Sequence, residues 1–214
     1  MLVFLESCFA ARPFYTDDAN IVSKKSCQLE SWIEIHSIDD SAIWMLPSCN
    51  LLLNTELTIG TMLGIQTQAM QAQLKVLFVD TSKKGWGIGL AVGNTFEYAH
   101  RIQKSLNTLY LYIPATVELW QGRIAMHANI GYALRRLDSV WSLGLGMEVG
   151  LLRDALYAVG EVYYSSRDSL LSQAGLRTWL VRDILQMDAT YGYDFFSRDH
   201  FFSLGIRLIV EGLF

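Results

Sequence analysis

The stretch GRIAMHANIGYAL (122–134) alternates without a break. Ile124, Met126, Ala128, Ile130 and Tyr132 hold one set of positions, and Arg123, His127, Asn129 and Gly131 hold the other. A period of two belongs to a β-strand, whose successive side chains point to opposite faces. One face here is apolar and the other is polar, charged or glycine. Just upstream, Gln121-Gly122 reads as a two-residue hairpin turn.

The same alternation extends in both directions. In GWGIGLAVG (85–93) it sets Trp86, Ile88, Leu90 and Val92 against glycines and Ala91. In SLGLGMEVGL (142–151) it sets Leu143, Leu145, Met147 and Val149 against Ser142, glycines and Glu148. In LQMDATYGYDF (185–195) it sets Leu185, Met187, Ala189, Tyr191 and Tyr193 against Gln186, Asp188, Thr190, Gly192 and Asp194. In SLGIRLIVEGLF (203–214), Leu204, Ile206, Leu208 and Val210 alternate with Arg207 and Glu211. About twelve such segments follow one another, near 27–36, 41–49, 55–65, 69–79, 85–94, 107–119, 123–134, 140–151, 154–164, 172–181, 184–195 and 201–214. They are longer than the roughly 5–6 residues usual in soluble strands and match the roughly 9–11 of a tilted membrane-spanning strand.

Composition agrees. The chain has 214 residues, 51% hydrophobic and only 18% charged, with mean hydropathy +0.24. No stretch approaches the roughly 20 apolar residues of a membrane helix. A net charge of −4 argues against a nucleic-acid partner. Three prolines and 16 glycines argue against disorder.

Alternation alone fits a soluble sandwich as well as a membrane barrel. Three features favour the barrel. Matching apolar faces places two-residue hairpins at Gln121-Gly122, Leu152-Arg153 and Arg182-Asp183, at every second connection. The connections between them, 135–139, 165–171, 196–200 and the stretch near 95–106, read as longer. Short periplasmic turns alternating with longer outer loops are the outer-membrane pattern. Second, Phe96, Tyr132, Trp141, Tyr164, Tyr193, Phe195 and Phe202 fall at one set of strand ends, and Trp86 and Phe214 at the other. Aromatic residues gather in this way at membrane interfaces, whereas a sandwich would bury them at mid-strand. Third, the last strand would be an aggregation-prone edge unless it pairs with the first. The expectation is a closed, antiparallel, up-and-down transmembrane β-barrel of about 12 strands, with 10 as the alternative. Residues 23–214 form its single domain, and residues 1–22 are a leader remnant and N-terminal extension. Glu6 inside LESC argues against lipid attachment at Cys8.

RPFYTDDANIV (12–22), CQLESWIE (27–34), WMLPSCNLLLNTELTIG (44–60), GWGIGLAVG (85–93), HANIGY (127–132) and the C-terminal strand together resemble a family of bacterial outer-membrane transporters linked to phenol degradation. The resemblance implies a Gram-negative outer membrane, surrounding lipid, and a small solute as cargo. Phe214, ending an amphipathic strand, resembles the signal read by the barrel-insertion machinery.

A first hairpin centred near Ile38 would set His36 against Asp40, Trp32 against Trp44 and Cys27 against Cys49. Directly opposed cysteines in an oxidising periplasm can bridge. The polar face carries Glu30, Glu34, Glu56, Lys75, Glu118, Arg123, His127, Glu148, Glu161, Arg177, Asp188, Asp194, Arg207 and Glu211. One reading makes these the charged lining of a narrow pore biased towards cations and polar neutral solutes. A second has them pair with one another and fill a structural or interaction barrel. The short connections offer little to form a plug. A third makes the protein a lipid-modifying enzyme using His127, Asn129 and Ser142. Pairing about Leu137 sets His127 opposite Met147, away from Ser142, so no catalytic residues are assigned. No metal motif or cofactor loop is present; Gly87-Ile88-Gly89 is strand glycine.

Overall fold

The computed structural model describes residues 13–37, 40–52, 54–100, 103–135, 138–152, 155–167 and 169–213. It contains β1 (Cys27–Ser37), β2 (Asp40–Leu52), β3 (Thr55–Gly64), β4 (Thr67–Val79), a short helix α1 (Thr81–Lys84), β5 (Trp86–Ala99), β6 (Lys104–Leu119), β7 (Ile124–Arg135), β8 (Asp138–Leu152), β9 (Leu156–Ser165), β10 (Ser169–Val181), β11 (Leu185–Asp194) and β12 (Asp199–Val210). Each strand pairs antiparallel with its neighbours in sequence. β12 pairs with β1 and closes the barrel. Twelve strands settle the count against ten. All twelve fall on segments located by alternation, because a sheet with lipid on one face and polar groups on the other enforces the period of two along its length.

The alternation sorts by face as expected. Leu109, Leu111, Ile113, Met126, Ile130, Leu143, Leu145, Leu204 and Ile206 lie exposed on the outer surface. Exposed Phe96, Trp141, Tyr164, Phe195 and Phe202 ring the outside at the mouth where β1 ends and β12 begins. Their neighbours reinforce the ring, with Tyr132–Trp141 centroids 4.7 Å apart and Tyr191–Phe202 centroids 4.9 Å apart. Trp86, Trp120 and Phe78 are exposed at the opposite mouth. Phe214 and Cys8 lie outside the described residues.

The inner face departs from the expectation on β1–β4. Trp32, Trp44, Leu46 and Met62 are buried inside the barrel, and the two indoles stack at 5.5 Å. An apolar patch therefore interrupts the polar inner wall of these strands.

The connections also differ from the sequence reading. The stretches read as long loops are short, covering 100–103, 136–137, 166–168 and 195–198. Strands continue into polar residues that look like loop: Ser165 pairs with Ser169, Arg135 with Asp138 and Asp194 with Asp199. The longest connection, 80–85, lies instead at the mouth where β1 begins and β12 ends. There Asp80 caps α1 by accepting from Ser82 N–H at 3.0 Å, and Gly85, at φ 71°, ends it. The Gln121-Gly122 turn has positive φ at both residues, 59° and 80°, as a type I′ hairpin requires. The β8–β9 ladder is offset by two residues from a turn centred on Leu152-Arg153, with Gly150 opposite Tyr157.

In the first hairpin Cys27 faces Cys49 and Trp32 faces Trp44. The disulfide is formed, with Cα atoms 4.1 Å apart. A register shift past Ile35 sets Ser37, not His36, against Asp40. The bulge leaves the His36 ring to reach Glu34 at 2.8 Å and Asp199 at 3.2 Å.

Candidate functional site

The interior of the barrel is the candidate site, and residues 13–26 run through part of it. This segment adds no strand. It leaves the end of β1 by a turn in which Ser26 N–H donates to the Ser23 carbonyl at 3.1 Å, with Lys25 at φ 63°. Its peptide groups are satisfied mainly by side chains of the wall, since buried backbone polar groups need partners. Val22 N–H donates to Glu56 at 3.0 Å, and Asn50 donates to the Val22 carbonyl at 2.8 Å. Ala19 N–H donates to Thr116 Oγ1 at 2.8 Å, while Thr81, on α1, donates to the Ala19 carbonyl at 3.2 Å. Glu161 accepts from the N–H groups of Tyr15 and Thr16, each at 2.8 Å, and from Gln173 at 2.6 Å. With its amide oriented to satisfy both partners, Asn129 accepts from Asp17 N–H at 2.6 Å and donates to the Asp17 carbonyl at 2.9 Å.

Side chains of the segment add their own contacts. Asp17 takes the Lys75 ammonium at 2.8 Å and the Tyr112 hydroxyl at 2.6 Å, and Asp18 lies 3.6 Å from Lys75. The Tyr15 hydroxyl donates to Glu34 at 3.0 Å, and its ring packs on Tyr163 at 5.5 Å. Phe14 lies 5.9 Å from the Arg177 guanidinium.

The charges predicted to face inward divide into two sets. Glu30, Glu34, Glu56, Lys75, His127, Glu148, Glu161, Arg177, Asp188, Asp194 and Arg207 lie buried or half-buried along the inner wall. Glu118, Arg123 and Glu211 are exposed at the mouth where β1 begins and β12 ends. The inner set is networked. Arg177 joins Asp188 at 2.6 Å and also Glu148. His127 places Nδ1 2.9 Å from Thr116 Oγ1 and Nε2 3.6 Å from Glu148. Arg207 donates to Gln28 at 2.7 Å and lies 3.7 Å from Glu30. Ser169 donates to Asp194 at 3.0 Å.

His127 sits opposite Gly146, not Met147, because the β7–β8 turn is two residues long rather than five. Ser142 pairs with Gly131, two inward positions further along, so the serine and histidine do not converge. No group of three or more His, Cys, Asp or Glu side chains suited to a metal ion occurs among the described residues.

Among the cavities inside are one of about 40 Å³ with a mixed lining and one of about 30 Å³ with a polar lining, each with room for a few waters. The first is lined by Tyr15, Tyr110, Tyr112, Asn129, Ser142 and Tyr163 among others. The second is lined by Asp17, Asp18, Glu30, Glu56, Lys75 and Arg207 among others. Tyr112 touches both, while Tyr15 borders the first and Asp17, Asp18 and Asn20 border the second.

The sequence reading missed the plug. RPFYTDDANIV has no period, so nothing in its own pattern marks it as interior. The signal lay in the wall. A side-chain carbon at Gly144 would meet Thr16 Oγ1 at 2.3 Å. One at Gly87 would meet Thr81 Oγ1 at 2.2 Å and the Ala19 carbonyl at 3.0 Å. Three inward glycines, Gly87, Gly144 and Gly146, thus face this segment, while others such as Gly93 and Gly192 face wall side chains.

Over residues 1–208 the sequence matches the family described as Uncharacterised conserved protein UCP029691. The chain belongs to that family. No curated protein matches its sequence. Among solved structures the chain is similar to a KdgM porin, with TM-score 0.66 and 11% identity over 85% of this chain and 98% of that one. It is similar to a NanC porin at TM-score 0.57 and 9% identity, over 85% and 98% of the two chains. Omp33, an outer-membrane protein of Acinetobacter baumannii, aligns at TM-score 0.57 and 4% identity, over 86% and 98%. At these identities the likeness is one of fold: a closed twelve-stranded barrel of the kind found in outer-membrane porins.

Proposed function

We propose that this protein is a narrow, porin-like channel in the outer membrane of a Gram-negative bacterium, passing small solutes along the polar side of its interior. One observation carries the reading. Buried and half-buried polar and charged groups line the closed barrel from Glu34 and Asp194 near one mouth to Glu56 and Arg207 near the other. A span that only needed to sit in lipid gains nothing from so many desolvated charges. Twelve strands enclose more than the side-chain-filled interior of eight and less than the aqueous channel of 16–18. The fold likeness to the KdgM and NanC porins supports the same reading. The excess of acids over bases favours cations and neutral polar molecules, and the phenol-degradation resemblance would add small aromatic compounds. The barrel-insertion machinery and outer-membrane lipid are the partners this reading requires.

The filled interior favours a second reading, a structural or interaction barrel without transport. Reconstitution in a planar bilayer separates the two. Discrete conductance supports the channel; folded, inserted protein with no conductance in wild type or in any plug-altered variant supports the scaffold.

A further inference from the structure

We propose that residues 13–22 are a displaceable gate, seated in the closed position in this structure. The proposal deepens the channel reading and rests on it.

The gate is independent of the barrel that holds it. β12 pairs with β1 directly, so the wall is complete without the segment. Residues 13–22 reach the wall through side chains, with Glu56, Thr116 and Glu161 accepting their N–H groups. Their departure breaks no strand–strand hydrogen bond. By contrast, Lys25 and Ser26 do bond to strand backbone. Lys25 N–H donates to the Asn50 carbonyl at 3.1 Å, and Asn50 N–H donates to the Ser26 carbonyl at 3.0 Å. The segment is fixed where it enters and side-chain-held along its length.

The latch is polar. Lys75, the one lysine buried among the described residues, takes Asp17 at 2.8 Å and lies 3.6 Å from Asp18. Water can replace such contacts when the segment leaves, with little net loss per hydrogen bond. A plug held by apolar packing alone has no such exchange. The seat also matches its occupant. Gly144 leaves space for Thr16, and Gly146 stands 3.6 Å from Phe14 at the position of a first side-chain carbon. The segment borders both cavities, the first at Tyr15 and the second at Asp17, Asp18 and Asn20.

The test uses the full-length chain in planar bilayers, with folding verified by heat-modifiable migration. Gly144→Val adds a side chain where Thr16 sits and expels the segment without touching its sequence. A closed state with a minor open population of roughly 0.1–10% leaves room for at least a tenfold rise in conductance. The pair Thr16→Cys and Gly144→Cys, in a Cys8→Ser background, sets first side-chain carbons 3.1 Å apart, close enough to lock by oxidation. Oxidation is expected to abolish conductance and reduction to restore it, with wild type unchanged under the same reductant. The proposal is overturned if Gly144→Val conducts like wild type or if the locked pair conducts like its reduced form. A third variant replaces residues 13–22 by a Gly/Ser run of equal length. If it folds and conducts while the first two variants leave conductance unchanged, the gate fails and the channel stands. If it folds and conducts nothing, the channel reading falls and the gate falls with it.

Discussion

Arg177 illustrates how single residues hold the interior together. Its guanidinium is buried between Asp188, at 2.6 Å, and Glu148, with the Phe14 ring alongside. Arg177→Met would leave Glu148 and Asp188 facing each other without the guanidinium between them. Stranding a buried charge costs about 3–5 kcal/mol, so the detergent-folded variant should unfold at clearly lower denaturant concentration. Arg177→Lys, which keeps the charge but not the fork, should lose less. Cys27 and Cys49 make the second test at this scale. Replacing both by Ser should lower stability by about 3 kcal/mol, the loop-entropy value for a separation of 22. An unchanged unfolding midpoint would count against any stabilising role for the bridge. This pairing was legible in the sequence because opposed positions in a hairpin follow from its centre. The role of Asp17 was not, since its partners Lys75, Tyr112 and Asn129 come from three strands whose alignment emerges only on closure.

Strands were easier to read than the joints between them. Period two survives wherever one face meets lipid, and all twelve strands carry it. The ends do not, because buried polar residues such as Ser165 and Ser169 pair as strand yet look like loop. Glycines within the strands behave differently by position, which gives a paired prediction. A side-chain carbon at Gly175 would lie 1.9 Å from the Ala189 carbonyl oxygen, in the backbone of β11. Gly175→Val must spread the β10–β11 ladder and should cost about 1–3 kcal/mol or prevent folding. At Gly160 the nearest atom is 3.6 Å away. Gly160→Ala should change stability by less than about 1 kcal/mol, since losing a strand glycine offsets any crowding. Equal effects in refolding titrations of the two variants would contradict the close approach of Gly175 to β11.

The whole molecule inverts a soluble protein: apolar outside, charged within. Its stability should therefore depend on lipid or detergent covering the outer surface. The folded form should migrate differently from the boiled form on a denaturing gel and should be recovered from detergent-extracted outer membranes. Recovery in the soluble fraction after cell breakage would contradict the membrane assignment. What fills the barrel was the least legible feature at this scale, because an aperiodic stretch beside a presumed leader carries no sign of its destination. Its attachment has a mechanical consequence. Ser26 is pinned to Asn50 one residue before the Cys27–Cys49 bridge, and Leu213 N–H donates to the Lys25 carbonyl at 3.0 Å from the other end of the chain. First and last strands thus share one post, and the residues ahead of it form a leash. From Pro13 to Ser26 there are 13 peptide steps (26 − 13), each reaching about 3.3 Å when extended, or about 40 Å in all. That exceeds the roughly 30 Å thickness of a bilayer's hydrocarbon core. The leash is long enough to swing wholly clear of the mouth while its post stays fixed, so emptying the interior demands no change of barrel diameter.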